Sequence, residues 1–208
     1  MTDLDLGVGV GCTVYGDGPT TLLLAHGAGT DRRHRMIVGI AEAVSTGGVR
    51  VVTFNYPFTE AGRRGPDGAP VLLKCHAAVA DAVGDAFGGP LVLGGRSMGG
   101  RMATMLVAGG YRARGVVLYA YPLHPAGKPD RLRVDHLDSV AVPMLFFQGS
   151  RDALSRGELF DHHVRSLPNA TVVDMPGADH SFRGRDWADD RLYPFLASNT
   201  WEWLRRLP

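Results

Sequence analysis

The residues best suited to chemistry lie in the stretch Val92-Leu93-Gly94-Gly95-Arg96-Ser97-Met98-Gly99-Gly100-Arg101. A serine hydroxyl is a weak nucleophile at neutral pH, so a chain that uses one must hold it on an exposed, strained turn within reach of a base and of backbone N–H groups. Gly95 and Gly99 stand two residues to either side of Ser97, where strand and helix approach so closely that a side chain would collide. The apolar run 90–93 before the turn reads as a strand, and Met102, Leu106 and Val107 after it recur at helical spacing. The segment therefore reads as a nucleophile elbow. Its alternative is a glycine-rich structural turn, which the rest of the chain argues against.

A serine nucleophile needs a base to take its proton and an acid to orient that base, and both arrive in space rather than in sequence. After an apolar run at 144–147 comes Gln148-Gly149-Ser150-Arg151-Asp152, and after another at 171–174 comes Pro176-Gly177-Ala178-Asp179-His180-Ser181-Phe182. Taken singly, Asp152 reads more simply as a helix cap and His180 as a hydrogen-bonded loop histidine. Taken together, Ser97, Asp152 and His180 supply three roles in order, each after a strand. Asp179 competes as the acid, but a residue adjacent to the histidine is poorly placed to reach its Nδ1 side. Charge that develops on a carbonyl oxygen needs two backbone donors. One follows the nucleophile, at Met98. The other is expected at Ala28, within Leu24-Ala25-His26-Gly27-Ala28-Gly29, where Gly27 lets backbone approach substrate and His26 braces the loop.

These residues require a scaffold of strands that end on one side. Short apolar runs at 10–15, 21–25, 49–54, 91–94, 116–120, 144–147 and 171–174 read as strands, with helix-length segments between them. Such alternation predicts one α/β domain over residues 1–208: a mostly parallel sheet with helices on both faces. A first helix, capped at Thr30 or Asp31, buries Met36, Ile37, Ile40, Ala41 and Val44 and ends at Gly47-Gly48. A second spans about Pro70 to Phe87, a helix follows Asp152 with Leu159 and Val164, and Pro194 is placed in the first turn of a last one. Thr59 to Ala69 reads as a long polar loop, of a length that is often functional near a strand end.

With 45% hydrophobic and 21% charged residues and a formal net charge of +1, the chain gives no electrostatic reason to bind nucleic acid or an anionic membrane. The start Met1-Thr2-Asp3-Leu4-Asp5 lacks a basic and then apolar leader, and no apolar run approaches the length of a bilayer span, so a cytoplasmic location is expected. Cys12 and Cys75 are isolated and read as small apolar residues. The histidines show no metal-ligand spacing, so neither a metal nor a cofactor is expected.

His26-Gly27-Ala28-Gly29, Asn55-Tyr56-Pro57, the elbow, Gln148 to Asp152 and Asp179 to Phe182 together resemble the α/β-hydrolase superfamily, and within it the small capless dienelactone-hydrolase-like subgroup. Dienelactone hydrolases proper use cysteine where Ser97 stands, so their substrate does not carry over. What the resemblance implies is a serine hydrolase that cleaves an ester or thioester, small or macromolecule-linked, through an acyl-enzyme. The competing reading is a catalytically silent scaffold that kept the fold, since some relatives in the wider subgroup resemble interaction proteins. Only about twenty residues separate Tyr121 from Pro143, so any lid is small and the site open. Arg96 beside the nucleophile, with Arg32, Arg33, Arg35, Arg63 and Arg64 expected on the same rim, points to an anionic or polar substrate group. The alternative is that these arginines are solvated or paired with Asp31, Glu60 and Asp67. The sequence leaves the oligomeric state open.

Overall fold

Leu22-Leu23-Leu24-Ala25 is apolar at every position and fully buried, which a strand achieves only when both faces of its sheet are covered. A computed structural model describing residues 1–208 places it in β3 (Thr20–Ala25), near the middle of an eight-stranded sheet. The others are β1 (Thr2–Leu4), β2 (Cys12–Tyr15), β4 (Val49–Phe54), β5 (Leu91–Arg96), β6 (Val116–Tyr119), β7 (Met144–Gly149) and β8 (Ala170–Met175), in the order β1-β2-β4-β3-β5-β6-β7-β8. At one edge β1 pairs antiparallel with β2 and β2 antiparallel with β4, and all remaining pairs are parallel. Strand order reverses at β3, with β4 on one side and β5 on the other. Loops leaving the carboxyl ends of β3 and β5 therefore diverge to opposite faces and open a crevice between them.

Successive side chains on the central strands feed two separate cores. Leu23, Leu93, Leu118 and Phe146 pack beneath α3 (Ala69–Phe87) and α4 (Met98–Ala108), while Leu22, Leu24, Val92, Val117 and Phe147 pack beneath α1 (Arg35–Ser45) and α6 (Asp189–Arg205). The chain begins α1 later than its Thr30-Asp31 pair predicts, because His34 supplies the cap: its Nδ1 accepts the Met36 N–H at 3.3 Å. The buried face of α1 is the expected one. Its carboxyl end meets α6, whose Trp201 indole lies over Gly47 and donates to the Val44 carbonyl at 2.7 Å.

Pro194 lies inside α6, not in its first turn. Asp189 and Asp190 start the helix five residues earlier, where negative charge complements the helix dipole. Two further elements were not legible in the sequence. β1 is a three-residue edge strand, and the expected Thr59–Ala69 loop is shortened at both ends, by a single turn, α2 (Pro57–Glu60), and by α3, which starts at Ala69. The segment after Asp152 forms α5 (Gly157–Phe160) and continues as a π-helical stretch, Asp161–Arg165. From Tyr121 to Pro143 there is one short 3-10 turn, Leu137–Ser139, so nothing here forms a lid domain. No helix is long and apolar enough to cross a membrane. Cys12 and Cys75 are free thiols pushed up by burial to about 11 and about 12, which leaves both as inert packing groups.

Two histidines are locked in the fold as neutral rings. His76, on α3, is fully buried against Phe54, with Nδ1 3.1 Å from the Tyr56 hydroxyl, and burial lowers it from 6.5 to about 3. His136 contacts Thr104 and Tyr121, and burial followed by the nearby Arg101 charge lowers it to about 4. Below the ordinary histidine value the unfolded chain takes up protons that the folded one refuses, so stability falls as pH falls. His76 alone is expected to cost about 2 kcal/mol at pH 5, with a smaller loss from the partly solvated His136. Urea denaturation from pH 7 to pH 5 should show this decline, with a shallower slope in His76→Gln; a flat profile would show that these rings take up protons as readily in the native state as in the unfolded chain.

Candidate active site

Ser97 sits between the last residue of β5 and the first of α4 with φ 52° and ψ −116°. A non-glycine residue in this region is strained by about 1–3 kcal/mol and persists only where its surroundings leave no alternative. Here the Ser97 N–H is tied to the Tyr119 carbonyl of β6 at 3.0 Å, and its own carbonyl accepts from Arg101 N–H at 3.1 Å. The glycines set the distance of approach. A Cβ on Gly99 would lie 2.4 Å from the Ala25 carbonyl oxygen, and one on Gly95 would lie 2.4 Å from the Gly99 carbonyl carbon. Strand, helix and the end of β3 are thus in backbone contact, and the serine is the residue left at the tip.

His180 reaches this tip from a loop built largely by Asp179. The Asp179 carboxylate accepts N–H groups from Ser181 at 2.8 Å and Arg183 at 2.9 Å, while its own N–H donates to the Arg183 carbonyl at 2.9 Å. Asp179 is therefore occupied in shaping the loop, and Asp152 is the carboxylate that meets the imidazole. Asp152 Oδ2 lies 2.8 Å from His180 Nδ1, and His180 Nε2 lies 2.8 Å from Ser97 Oγ. The second Asp152 oxygen accepts from Leu154 N–H at 2.8 Å, so a side chain with no solvent exposure has both oxygens engaged. The Asp152 turn and the His180 loop are also tied to each other, through Arg151 N–H to Ala178 O at 2.9 Å and Gly177 N–H to Ser150 Oγ at 2.8 Å.

A cavity of about 410 Å³ opens at Ser97, with Ala28 and Met98 in its lining. Met98 is the first residue of α4, so its N–H has no partner within the helix, and the Ala28 N–H meets no acceptor in the protein. His26 supports the Ala28 loop from behind. Its Nδ1–H donates to the Gly27 carbonyl at 2.8 Å, and its Nε2 accepts from the Tyr56 N–H at 3.2 Å. Burial lowers its pKa and so favours the neutral form this arrangement needs.

The arginines lie elsewhere than the sequence implies. Arg96 is 9% exposed and points away from the Ser97 cavity, where its Nη2 donates to the His180 carbonyl at 3.2 Å and to Ser181 Oγ at 3.1 Å. Alternation along β5 explains this, since neighbouring residues at a strand end face opposite ways. Gly27 likewise stays out of the cavity lining, and a Cβ there would lie 3.0 Å from Arg96 Nη1. Gly27 nonetheless lies beside the nucleophile, a Cβ there falling 3.6 Å from Ser97 Cβ, while Arg96 braces the histidine loop. Arg32 and Arg33 pair with Asp3, Arg35 with Asp189 and Arg63 with Asp67, so only the last has its expected partner. Arg64 lines an adjoining cleft that shares Ala28. Asp67, Arg101, His124 and Arg133 line the Ser97 cavity, a placement the sequence did not indicate. Arg101 had a signal, being one helical turn beyond Ser97. His124 and Arg133 lie in irregular chain, where spacing gives no direction.

Residues 18–198 match the family described as the alpha/beta hydrolase domain, and the chain belongs to that family. Among solved structures it is similar to a serine hydrolase without a lid from Xanthomonas campestris (24% identity, 99% of this chain and 95% of that one, TM-score 0.77). An alpha-beta serine hydrolase homologue from Coxiella burnetii is similar at 20% identity, 96% and 98% coverage and a TM-score of 0.77. Est1E from Butyrivibrio proteoclasticus, with ferulic acid bound, is similar at 16% identity, 99% and 100% coverage and a TM-score of 0.76. At these identities the likeness concerns the fold.

The close approach at the elbow gives a sharp test. Gly99→Ala should force β3 and α4 apart, destabilise the protein by about 1–3 kcal/mol and displace Ser97 from His180. Urea unfolding measures the first effect, and a crystal structure the second; unchanged stability with the 2.8 Å contact intact would show that the packing is looser than described.

Proposed function

We propose that the protein is a serine hydrolase that cleaves an ester or thioester through an acyl-enzyme on Ser97. The observation that carries this reading is the unbroken chain Ser97 Oγ, His180 and Asp152, with both links at 2.8 Å. In the proposed reaction His180 Nε2 takes the Ser97 proton as Oγ attacks the acyl carbon, and the N–H groups of Met98 and Ala28 receive the developing oxyanion. Asp152 holds Nδ1–H and stabilises the imidazolium. Collapse of the tetrahedral intermediate releases the alcohol or thiol, which takes the proton from His180. Water then repeats the sequence on the acyl group: His180 accepts its proton, hydroxide oxygen joins the acyl carbon, and the acid leaves while Ser97 regains its proton.

Ferulic acid, bound by the Butyrivibrio protein, is a carboxylic acid, the kind of product such a reaction releases. The absence of a lid domain favours accessible substrates, small or attached to a larger molecule, over a lipid that must be sequestered. Only neutral imidazole can act as the base.

Short aryl esters and thioesters provide the test. Ser97→Ala and His180→Ala should each lower kcat by about ten-thousandfold, with Asp152→Asn nearly as damaging because it disturbs the histidine tautomer. Equal turnover by wild type and Ser97→Ala, both folded by circular dichroism, would contradict the assignment.

A further inference from the structure

We propose that Arg101 and Arg133 form an anion subsite in the Ser97 cavity, so that the preferred substrate is an ester or thioester bearing a carboxylate away from the bond cleaved. This rests on the acyl-transfer reading and names its substrate class.

Both guanidiniums line the same cavity as the Ser97 hydroxyl. Neither has a carboxylate within 4.0 Å and neither side chain donates a hydrogen bond to the protein. Arg101 Nε is moreover buried with no acceptor at all. Unpaired arginines elsewhere, such as Arg64, Arg112 and Arg151, are exposed and hydrated, whereas Arg101 and Arg133 are half-buried. They also act on each other: burial, followed by the Arg101 charge, lowers the pKa of Arg133. Holding two half-buried cations near one another without a counter-ion is unfavourable for the protein alone, and a bound anion would reverse that.

The remaining polar lining narrows the choice of anion. Asp67 has Oδ1 engaged by Arg63 at 2.7 Å, but its Oδ2 is buried without a donor, and this negative edge opposes a dianion. A singly charged, planar carboxylate fits a pair of guanidinium forks under that constraint better than a phosphate does. His124 adds an acceptor. Its Nδ1–H donates to the Pro125 carbonyl at 3.0 Å, which leaves Nε2 buried at the cavity wall without a partner in the protein.

Two matched pairs test the proposal with the anion on either side of the ester: monoethyl glutarate against ethyl pentanoate, and 4-carboxyphenyl acetate against phenyl acetate. In at least one pair the wild type should prefer the carboxylate by about tenfold or more in kcat/KM, the scale of a charge-assisted contact. Arg101→Gln and Arg133→Gln should each erase most of that ratio, and the corresponding lysine variants should retain part of it. A neutral preference in both pairs, or a ratio indifferent to both glutamine changes, overturns the subsite while leaving hydrolysis standing. Calorimetric binding of monoethyl glutarate to Ser97→Ala separates the two readings. Binding lost in the arginine variants, in a protein whose wild type cleaves no ester, would keep the subsite and remove the hydrolase; no binding and no charge preference would remove the subsite.

Discussion

Ser97 is held in a backbone conformation that a side-chain-bearing residue avoids, and much of the architecture exists to leave it no other. β5 enters the turn hydrogen-bonded between β3 and β6, α4 leaves it with backbone resting on the end of β3, and glycine at positions 95 and 99 is what permits that contact. Any relaxation of Ser97 toward ordinary dihedrals would have to break the parallel register of the central strands or lift α4 from its core. The strain is therefore carried by the most deeply buried part of the molecule. Local conformational cost is small beside the burial of Leu22, Leu93, Val117 and Phe147 that fixes those strands.

The same logic orders Asp152 and His180. β7 and β8 end beside one another, and Gly149 at the end of β7 lies so close to the His180 loop that a Cβ would fall 2.5 Å from the Ala178 carbonyl oxygen. Asp152 and His180 are thus presented by two loops already joined by backbone hydrogen bonds. Asp179 and Arg96 complete the support from either side of His180, one by closing the loop and the other by gripping its carbonyl. For an open site this preorganisation matters, because no lid closes later to correct the geometry.

Much of this was legible in the sequence because it follows from local rules. The alternation of apolar runs with helix-length segments gives the parallel sheet, the paired glycines give the elbow, and the order Ser97, Asp152, His180 follows the order of strands. What was not legible depends on direction rather than on type. Arg96 and Arg101 are both near Ser97 in the chain, yet strand alternation turns one away while one helical turn brings the other back. Arg133 and His124 are placed by a stretch with almost no regular structure, in which no period exists to read. The start of α6 was missed because Pro194 resembles an N-terminal proline, while the acidic pair Asp189-Asp190 carries the true signal. β1 is too short to show alternation.

The central claim is that Ser97 is an activated nucleophile, and labelling by a fluorophosphonate probe, mapped by mass spectrometry, tests it without a guess at the substrate. The account predicts one adduct, on Ser97, formed rapidly by the wild type and much more slowly by His180→Ala. A folded wild type that stays unlabelled, or labels as slowly as His180→Ala, would contradict it and would favour a scaffold that has kept the fold without the chemistry.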